Sequence, residues 1–326
     1  MVLTRSSRAG GKNVRGRKSR EIAHAARECL VRVCAIQFTV PRDFHPSGPT
    51  PPDMELLLWK IFSAIVLAIV EGVTEFLPVS STGHLILVRN LLGLEAVHGN
   101  VFEVVIQFGA ILSVCVIYFE YLWKVTRALP RNENAQRFAL GLFIAFLPAA
   151  AIGVLTADYI EKYLLNPYVV SIALIVGGVA IIFIERVVKI PQYYAVEDFP
   201  LPLYLKIGLC QCLALVPGVS RSGATIMGSL LMKVERGAAA EFSFFLAIPT
   251  MLGASVYSLY KHWHELHVED LFILALGFVV AFVCAYWVVK RFITFVSKNG
   301  FGIFAWYRIF VGGFLLSWFA VRGTPV

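Results

Sequence analysis

The sequence predicts an all-α polytopic membrane protein, an inverted-topology repeat of about six spanning helices and two re-entrant helical hairpins. Three observations carry that expectation. The first is composition: of 326 residues 58% are hydrophobic and 15% charged, with mean hydropathy +0.73, outside the range of soluble globular domains. The second is periodicity. The apolar runs have the length of helices and none of the ten-residue alternation of a barrel, and only these two structures satisfy the backbone in hydrocarbon. The third is order, because a short hinged pair followed by three long spans occurs twice.

The first 53 residues hold ten Lys/Arg against Glu21, Glu28, Asp43 and Asp53, a net +6 of the chain's +8. What remains is nearly neutral, which excludes a nucleic-acid-binding face. The segment lacks a long apolar h-region and so does not read as a cleavable signal peptide. Met54 opens MELLLWKIFSAIVLAIVEG, which looks like the beginning of a membrane protein. Residues 1–53 are therefore expected to be a disordered extension or an over-long start, and residues 54–326 a single integral membrane domain. The six cysteines show no ligand spacing and read as small buried residues.

Spans are expected at 101–123, 137–157, 168–187, 237–259, 270–290 and 303–321, each near the ~20 residues that cross the hydrocarbon. Two segments fall short. One runs to Leu77, stops at Pro78 and restarts as GHLILVRNLLG; the other, LYLKIGLCQCLALV, stops at Pro217 and restarts as GATIMGSLLM. Each reads as a re-entrant hairpin. The turn at Pro78-Val79-Ser80-Ser81-Thr82-Gly83 can be laid on Pro217-Gly218-Val219-Ser220-Arg221-Ser222-Gly223 with one inserted residue, so residues 54–187 and 203–322 are expected to be two copies. Three spans is an odd number, which turns the second copy upside down.

Orientation comes from the loops. Lys124, Arg127, Arg131 and Arg137 crowd one, Arg186, Lys189 and Lys206 another, and Lys290, Arg291 and Lys298 a third, while Asp158/Glu161 and Glu265/Glu269/Asp270 mark the alternate ones. The positive-inside rule places the basic loops in the cytoplasm and the first hairpin on the outer side.

The chemistry-bearing residues sit at the hairpins. In EGVTEFLPVSSTGHLIL, Glu71 and Glu75 are i,i+4 on one helix face, Ser80, Ser81 and Thr82 occupy the cap of the next helix, and His84 follows Ser81 by three. Ionisable groups are costly in a membrane and mark function. In PGVSRSGAT, Gly218 and Gly223 permit close backbone approach, Ser220, Ser222 and Thr225 add hydroxyls, and Arg221 supplies a planar fork suited to phosphate. Gly83 holds the corresponding place in the first turn. Glu103, Gln107 and Glu241 lie in apolar spans and are expected to support the hairpins by hydrogen bonds. Arg308 reads as an internal counter-ion, and His262, His264 and His267 as a solvated loop trio.

EGVTEFLPVSSTGH and PGVSRSGAT, together with FEVVIQFGAI, QCLALVPG and EFSFFLAIP, closely resemble the bacterial undecaprenyl-diphosphatase family, associated with bacitracin resistance. The resemblance covers residues 54 to 322. It implies hydrolysis of undecaprenyl diphosphate to undecaprenyl phosphate and inorganic phosphate, recycling the lipid carrier of peptidoglycan synthesis. It further implies a multi-pass protein of the bacterial inner membrane, with a polyprenyl diphosphate as substrate and the site facing the periplasm. A homodimer is left open.

For in-line displacement at the terminal phosphorus, Ser81 is the expected nucleophile, His84 its base and Glu75 the group that orients His84. The other order keeps Ser81 as a phosphate ligand and gives attack to His84 or water. Two ionised carboxylates beside a diphosphate repel it by about 4 kcal/mol per close pair at an effective dielectric of about 20. Either one glutamate is protonated or Mg²⁺ or Ca²⁺ held by Glu71, with or without Glu75, relieves that repulsion; the cation is the simpler solution and agrees with what the resemblance implies. A lipid-phosphate flippase is the rival, since inverted repeats with broken helices also build transporters; a nucleophile–base pair favours the enzyme.

Overall fold

The computed structural model describes residues 53–92, 100–188, 190–262 and 271–322. The basic arm before Asp53 and the loop histidines His264 and His267 lie outside the described residues. The helices are α1 (Asp53–Thr74), α2 (Ser81–Leu92), α3 (Asn100–Ile117), α4 (Phe119–Ala128), α5 (Glu133–Tyr159), α6 (Pro167–Val187), α7 (Leu201–Gln211), α8 (Arg221–Leu231), α9 (Arg236–His262), α10 (Leu271–Asn299) and α11 (Gly302–Arg322). A π turn at Ile160–Leu164 follows α5, and a 3₁₀ turn at Cys212–Leu215 extends α7. The caps follow local chemistry. Asn132 accepts from the Asn134 and Ala135 amides at 2.8 and 3.2 Å to start α5, and Asn166 accepts from Val169 at 3.0 Å just before Pro167 opens α6.

Six helices among the described residues are long and apolar enough to cross a membrane: α1, α5, α6, α9, α10 and α11. The number is the expected one, but the membership is not. The span expected over 101–123 breaks at Tyr118, where α3 and α4 diverge by 70°. Charge explains the break. Helix α4 carries Glu120, Lys124 and Arg127 within ten residues and buries no side chain, and Arg127 sits 4.6 Å over the Trp123 ring. Such a segment is costly in hydrocarbon and suited to an interface. Conversely α1, expected as a half-length arm, offers a predominantly apolar stretch of 18 residues from Leu57 to Thr74, whereas its counterpart over Leu201–Leu215 stays short. The two hairpins are therefore unequal in their first arms.

The duplication is visible in the packing. Helix α1 lies against α10 as α7 lies against α5, while α3 meets α9 and α6 meets α11. Contacts between equivalent helices run in opposite directions. Gly178 faces the Ala305 carbonyl and Gly312 faces the Ser171 carbonyl so closely that a Cβ on either would collide. Likewise Ser255 bonds Gln107 at 3.0 Å, while Phe245, earlier in α9, meets Tyr118, just past the end of α3, edge to face. Equivalent helices are thus antiparallel, the arrangement an upside-down second copy requires. Large apolar side chains such as Leu155 (84% exposed) and Phe310 (74%) point outward, a surface that suits lipid rather than water.

Candidate active site

The two Pro/Ser/Gly turns adopt one backbone conformation twice. Ser80 and Ser220 both have left-handed φ, 70° and 76°, which non-glycine residues adopt at a cost of about 1 kcal/mol or more. Each closes the same cap: Ser80 Oγ accepts from the Gly83 amide at 3.4 Å and Ser220 Oγ from the Gly223 amide at 3.1 Å. The turns also touch. Ser222 Oγ donates to the Leu77 carbonyl at 2.8 Å and shares a hydrogen bond with Ser220 Oγ at 3.0 Å.

Arg308, 1% exposed, binds the turns together. Its Nη1 donates to the Pro78 and Val219 carbonyls at 3.0 and 2.9 Å. Its Nη2 donates to Gly218 and Ala173 at 2.9 and 3.2 Å, and Nε to Leu174 at 3.3 Å. A Cβ on Gly177 would strike the guanidinium. The expected counter-ion is instead a staple: its charge is spread over five backbone carbonyls from both hairpins and α6.

Ser81 and Arg221 are the first residues of α2 and α8, equivalent positions brought face to face. Glu75 joins them. Its Oε2 accepts from the Ser81 hydroxyl at 2.5 Å, and its Oε1 accepts from Arg221 Nη2 at 3.2 Å, with side-chain exposures of 12% for Arg221 and 8% for Glu75. Arg221 Nη1 donates to the Ser243 carbonyl at 2.9 Å, and the guanidinium lies 5.7 Å from the Phe76 ring centre. Its buried Nε makes no hydrogen bond among the described residues. Glu71, one turn before Glu75 and also buried, lies against the Glu75 carboxyl and in the field of Glu103 and Arg221.

These groups line a cavity of about 210 Å³. Glu75, Ser80, Ser81, Thr82, Gln107, Gly218, Ser220 and Arg221 all face it, as does Gln211, which sequence reasoning passed over. Gln211 is 1% exposed. Its Oε1 accepts from Thr250 at 3.2 Å and its Nε2 is left unpartnered. Two helix N-termini, the hydroxyl residues Ser80, Ser81, Thr82 and Ser220 and two buried side-chain donors without a hydrogen bond among the described residues therefore converge on one small space, a setting for a phosphate group.

The remaining expected residues divide. His84 follows Ser81 by three but turns away: its Nδ1 bonds the Ser80 carbonyl and its Nε2 the Tyr307 hydroxyl, both at 2.7 Å. The expected Ser81–His84 contact is not made, and Glu75 takes that place. His84 holds the Ser80 turn against α11 through Tyr307, another residue the sequence did not single out. Thr225 donates to Ser243 Oγ at 2.8 Å, and Gly83 and Gly223 pack against Val170 and Arg308; all three shape the turns. Glu103 pairs with Arg89 on the first hairpin at 2.7 Å. Glu241 contacts Tyr118 at the bend between α3 and α4 and does not line the cavity.

A divalent cation suits the donors present. Among the described residues no group of three His, Cys, Asp or Glu could hold a metal by itself, but the adjacent Glu71 and Glu75 carboxyls offer two oxygen ligands beside the cavity once the proton between them is lost. Hard oxygen donors fit Mg²⁺ or Ca²⁺, and Mg²⁺ is commonly held by one or two carboxylates with substrate phosphates completing its shell.

Comparison with known proteins identifies the family. The family model "Bacitracin resistance protein BacA" matches residues 64–314. An undecaprenyl-diphosphatase of Parvibaculum lavamentivorans is 56% identical over 258 residues, 79% of this chain and 96% of the relative. Undecaprenyl-diphosphatases of Rhodopseudomonas palustris and Paramagnetospirillum magneticum are 50% and 52% identical, each over 78% of this chain and 96% and 97% of their own lengths.

Proposed function

Because the chain belongs to the bacitracin resistance protein BacA family, we infer that its chemistry is hydrolysis of undecaprenyl diphosphate to undecaprenyl phosphate and inorganic phosphate. The substrate is a lipid reached from the bilayer, and the product is the carrier reused in peptidoglycan synthesis. The observation that carries the mechanism is Glu75, bonded at once to Ser81 and Arg221.

The terminal phosphate enters the 210 Å³ cavity, where Arg221 Nε and Gln211 Nε2 are the unused donors. Ser81 Oγ attacks the phosphorus in line while Glu75 takes the hydroxyl proton. The bond from phosphorus to the bridging oxygen breaks, and the lipid monophosphate leaves as an anion, so no strong acid is required. Glu75 then loses that proton to solvent, water attacks the phosphoserine, and Glu75 passes the proton of the water to Ser81 Oγ as the bond from phosphorus to Oγ breaks, so that orthophosphate is released with Ser81 restored. A positioned base of this kind contributes about 10²–10⁴ in rate. A divalent cation held by Glu71 and Glu75 would neutralise charge on the phosphate oxygens. His84 acts at one remove, by fixing the turn that presents Ser81.

The site opens to the outer side of the inner membrane. The polar space around Ser81 continues toward Lys261 and the end of α5, where Asp158 lies, while the basic loops lie at the other ends of the spans. A cysteine at Glu133 and another at Asp158, probed in intact cells with an impermeant thiol reagent after removal of native cysteines, test this. Labelling at Asp158 alone supports it; labelling at Glu133 alone reverses it. The activity itself is read as phosphate release from a polyprenyl diphosphate by purified protein in detergent, where flipping is undefined. Substrate binding without release would favour the transporter.

A further inference from the structure

A second, larger cavity of about 410 Å³ adjoins the first, sharing Ser81, Thr82, Gln107 and Ala254 with it. Its walls carry charge: Glu71, Arg89, Glu103 and Lys261. At its rim Lys261 pairs with Asp158, itself 93% exposed, so the space leads from the reacting groups toward water. The third cavity that meets the site, about 490 Å³, is walled by residues such as Phe146, Ala150, Gly153, Val154 and Leu215 and is almost wholly apolar. A multiply charged anion formed at Ser81 has no favourable path through apolar walls. It has one through the charged cavity.

Arg89 holds the unused capacity there. Its Nη2 is paired with Glu103 Oε1 at 2.7 Å, while its buried Nε makes no hydrogen bond among the described residues. The Nε/Nη2 edge is one of the two edges with which a guanidinium grips phosphate through paired parallel bonds. Glu103 occupies one nitrogen of that edge and leaves the other, so it holds the guanidinium without filling both of its donor positions.

We propose that the charged cavity is a second phosphate subsite: the Nε/Nη2 edge of Arg89 takes the orthophosphate released at Ser81, and Glu103 competes for the same guanidinium and so limits retention. The inference rests on the hydrolytic reading above. A lipid-borne monophosphate would present the same chemistry from the apolar side, and the test separates the two.

Purified full-length protein in detergent is assayed for inhibition of polyprenyl diphosphate hydrolysis by orthophosphate and, separately, by polyprenyl monophosphate. Loss of a bidentate charge-assisted pair corresponds to about tenfold in affinity or more. Arg89→Gln should raise the inhibition constant for orthophosphate by about that factor, and Glu103→Gln should lower it. The double variant should behave like Arg89→Gln, because Glu103 acts through Arg89; a general field effect would leave Glu103→Gln active in either background. A shift confined to the monophosphate assigns the subsite to the lipid headgroup, within the same chemistry. If Arg89→Gln and Glu103→Gln turn over substrate with both inhibition constants unchanged, the subsite is refuted while the hydrolytic reading stands. If the unaltered protein releases no phosphate, the hydrolytic reading fails first.

Discussion

The two hairpin turns share a backbone and divide the chemistry. Ser80 and Ser220 carry the same left-handed φ and the same serine-to-glycine cap. The next position is Ser81 in one and Arg221 in the other; four residues past the cap, His84 stands opposite Ala224. Duplication followed by inversion thus sets two like helix starts against each other, and the equivalent positions differ: a hydroxyl stands at one and a guanidinium at the other, the groups proposed above as nucleophile and anion grip. Neither turn suffices. The carboxylate that joins them, Glu75, belongs to the first hairpin alone, so the pair is symmetric in frame and asymmetric in function.

The largest effect expected from breaking this division is at Glu75. Glu75→Gln can still accept from the Ser81 hydroxyl but cannot take its proton, and phosphate release should fall by about 10³. Rates within tenfold of the parent would remove Glu75 from the role of base. Next is Arg221→Lys, which keeps the charge but loses the planar fork that reaches Glu75, Ser243 and the cavity together. A loss of about 10² in kcat/KM is expected, and near-normal turnover would show that a point charge is enough.

Arg308 tests the frame rather than the chemistry. Arg308→Met leaves the Pro78, Gly218 and Val219 carbonyls without that donor in a buried place, at a cost of about 3 kcal/mol. It should appear as a lowered thermal midpoint in detergent; an unchanged midpoint would mean the turns hold without the staple. The smallest effect is expected at His84. His84→Gln keeps a polar group that can bond across the turn and should lose about tenfold or less, while His84→Ala loses more. Equal losses of 10³ from both would restore His84 as a proton acceptor.

Much of the site was legible because its residues are expensive where they lie. Glutamates, hydroxyls and an arginine within apolar segments announce themselves, and Ser81, Glu75 and Arg221 were identified on that ground. Their partners were not. Helical spacing put His84 on the side of Ser81, but Ser81 is the first residue of α2 and Glu75 lies across a non-helical turn, where spacing carries no periodicity. Arg308 reads as a counter-ion because its true partners are backbone carbonyls, which leave no mark in sequence. Gln211, a single amide in an apolar run, gave no signal without the cavity it faces. The break at Tyr118 was foreshadowed by the charges of α4, which a window counting apolar residues averages away.

Whether Ser81 and Glu75 act as one unit across the first turn, as proposed, is read from a double-mutant cycle on kcat/KM for polyprenyl diphosphate hydrolysis. Groups that act together are lost together. The combined Glu75→Gln, Ser81→Ala protein should be about as impaired as the worse single variant. Losses that multiply would contradict the claim and return the pairing of Ser81 to another base.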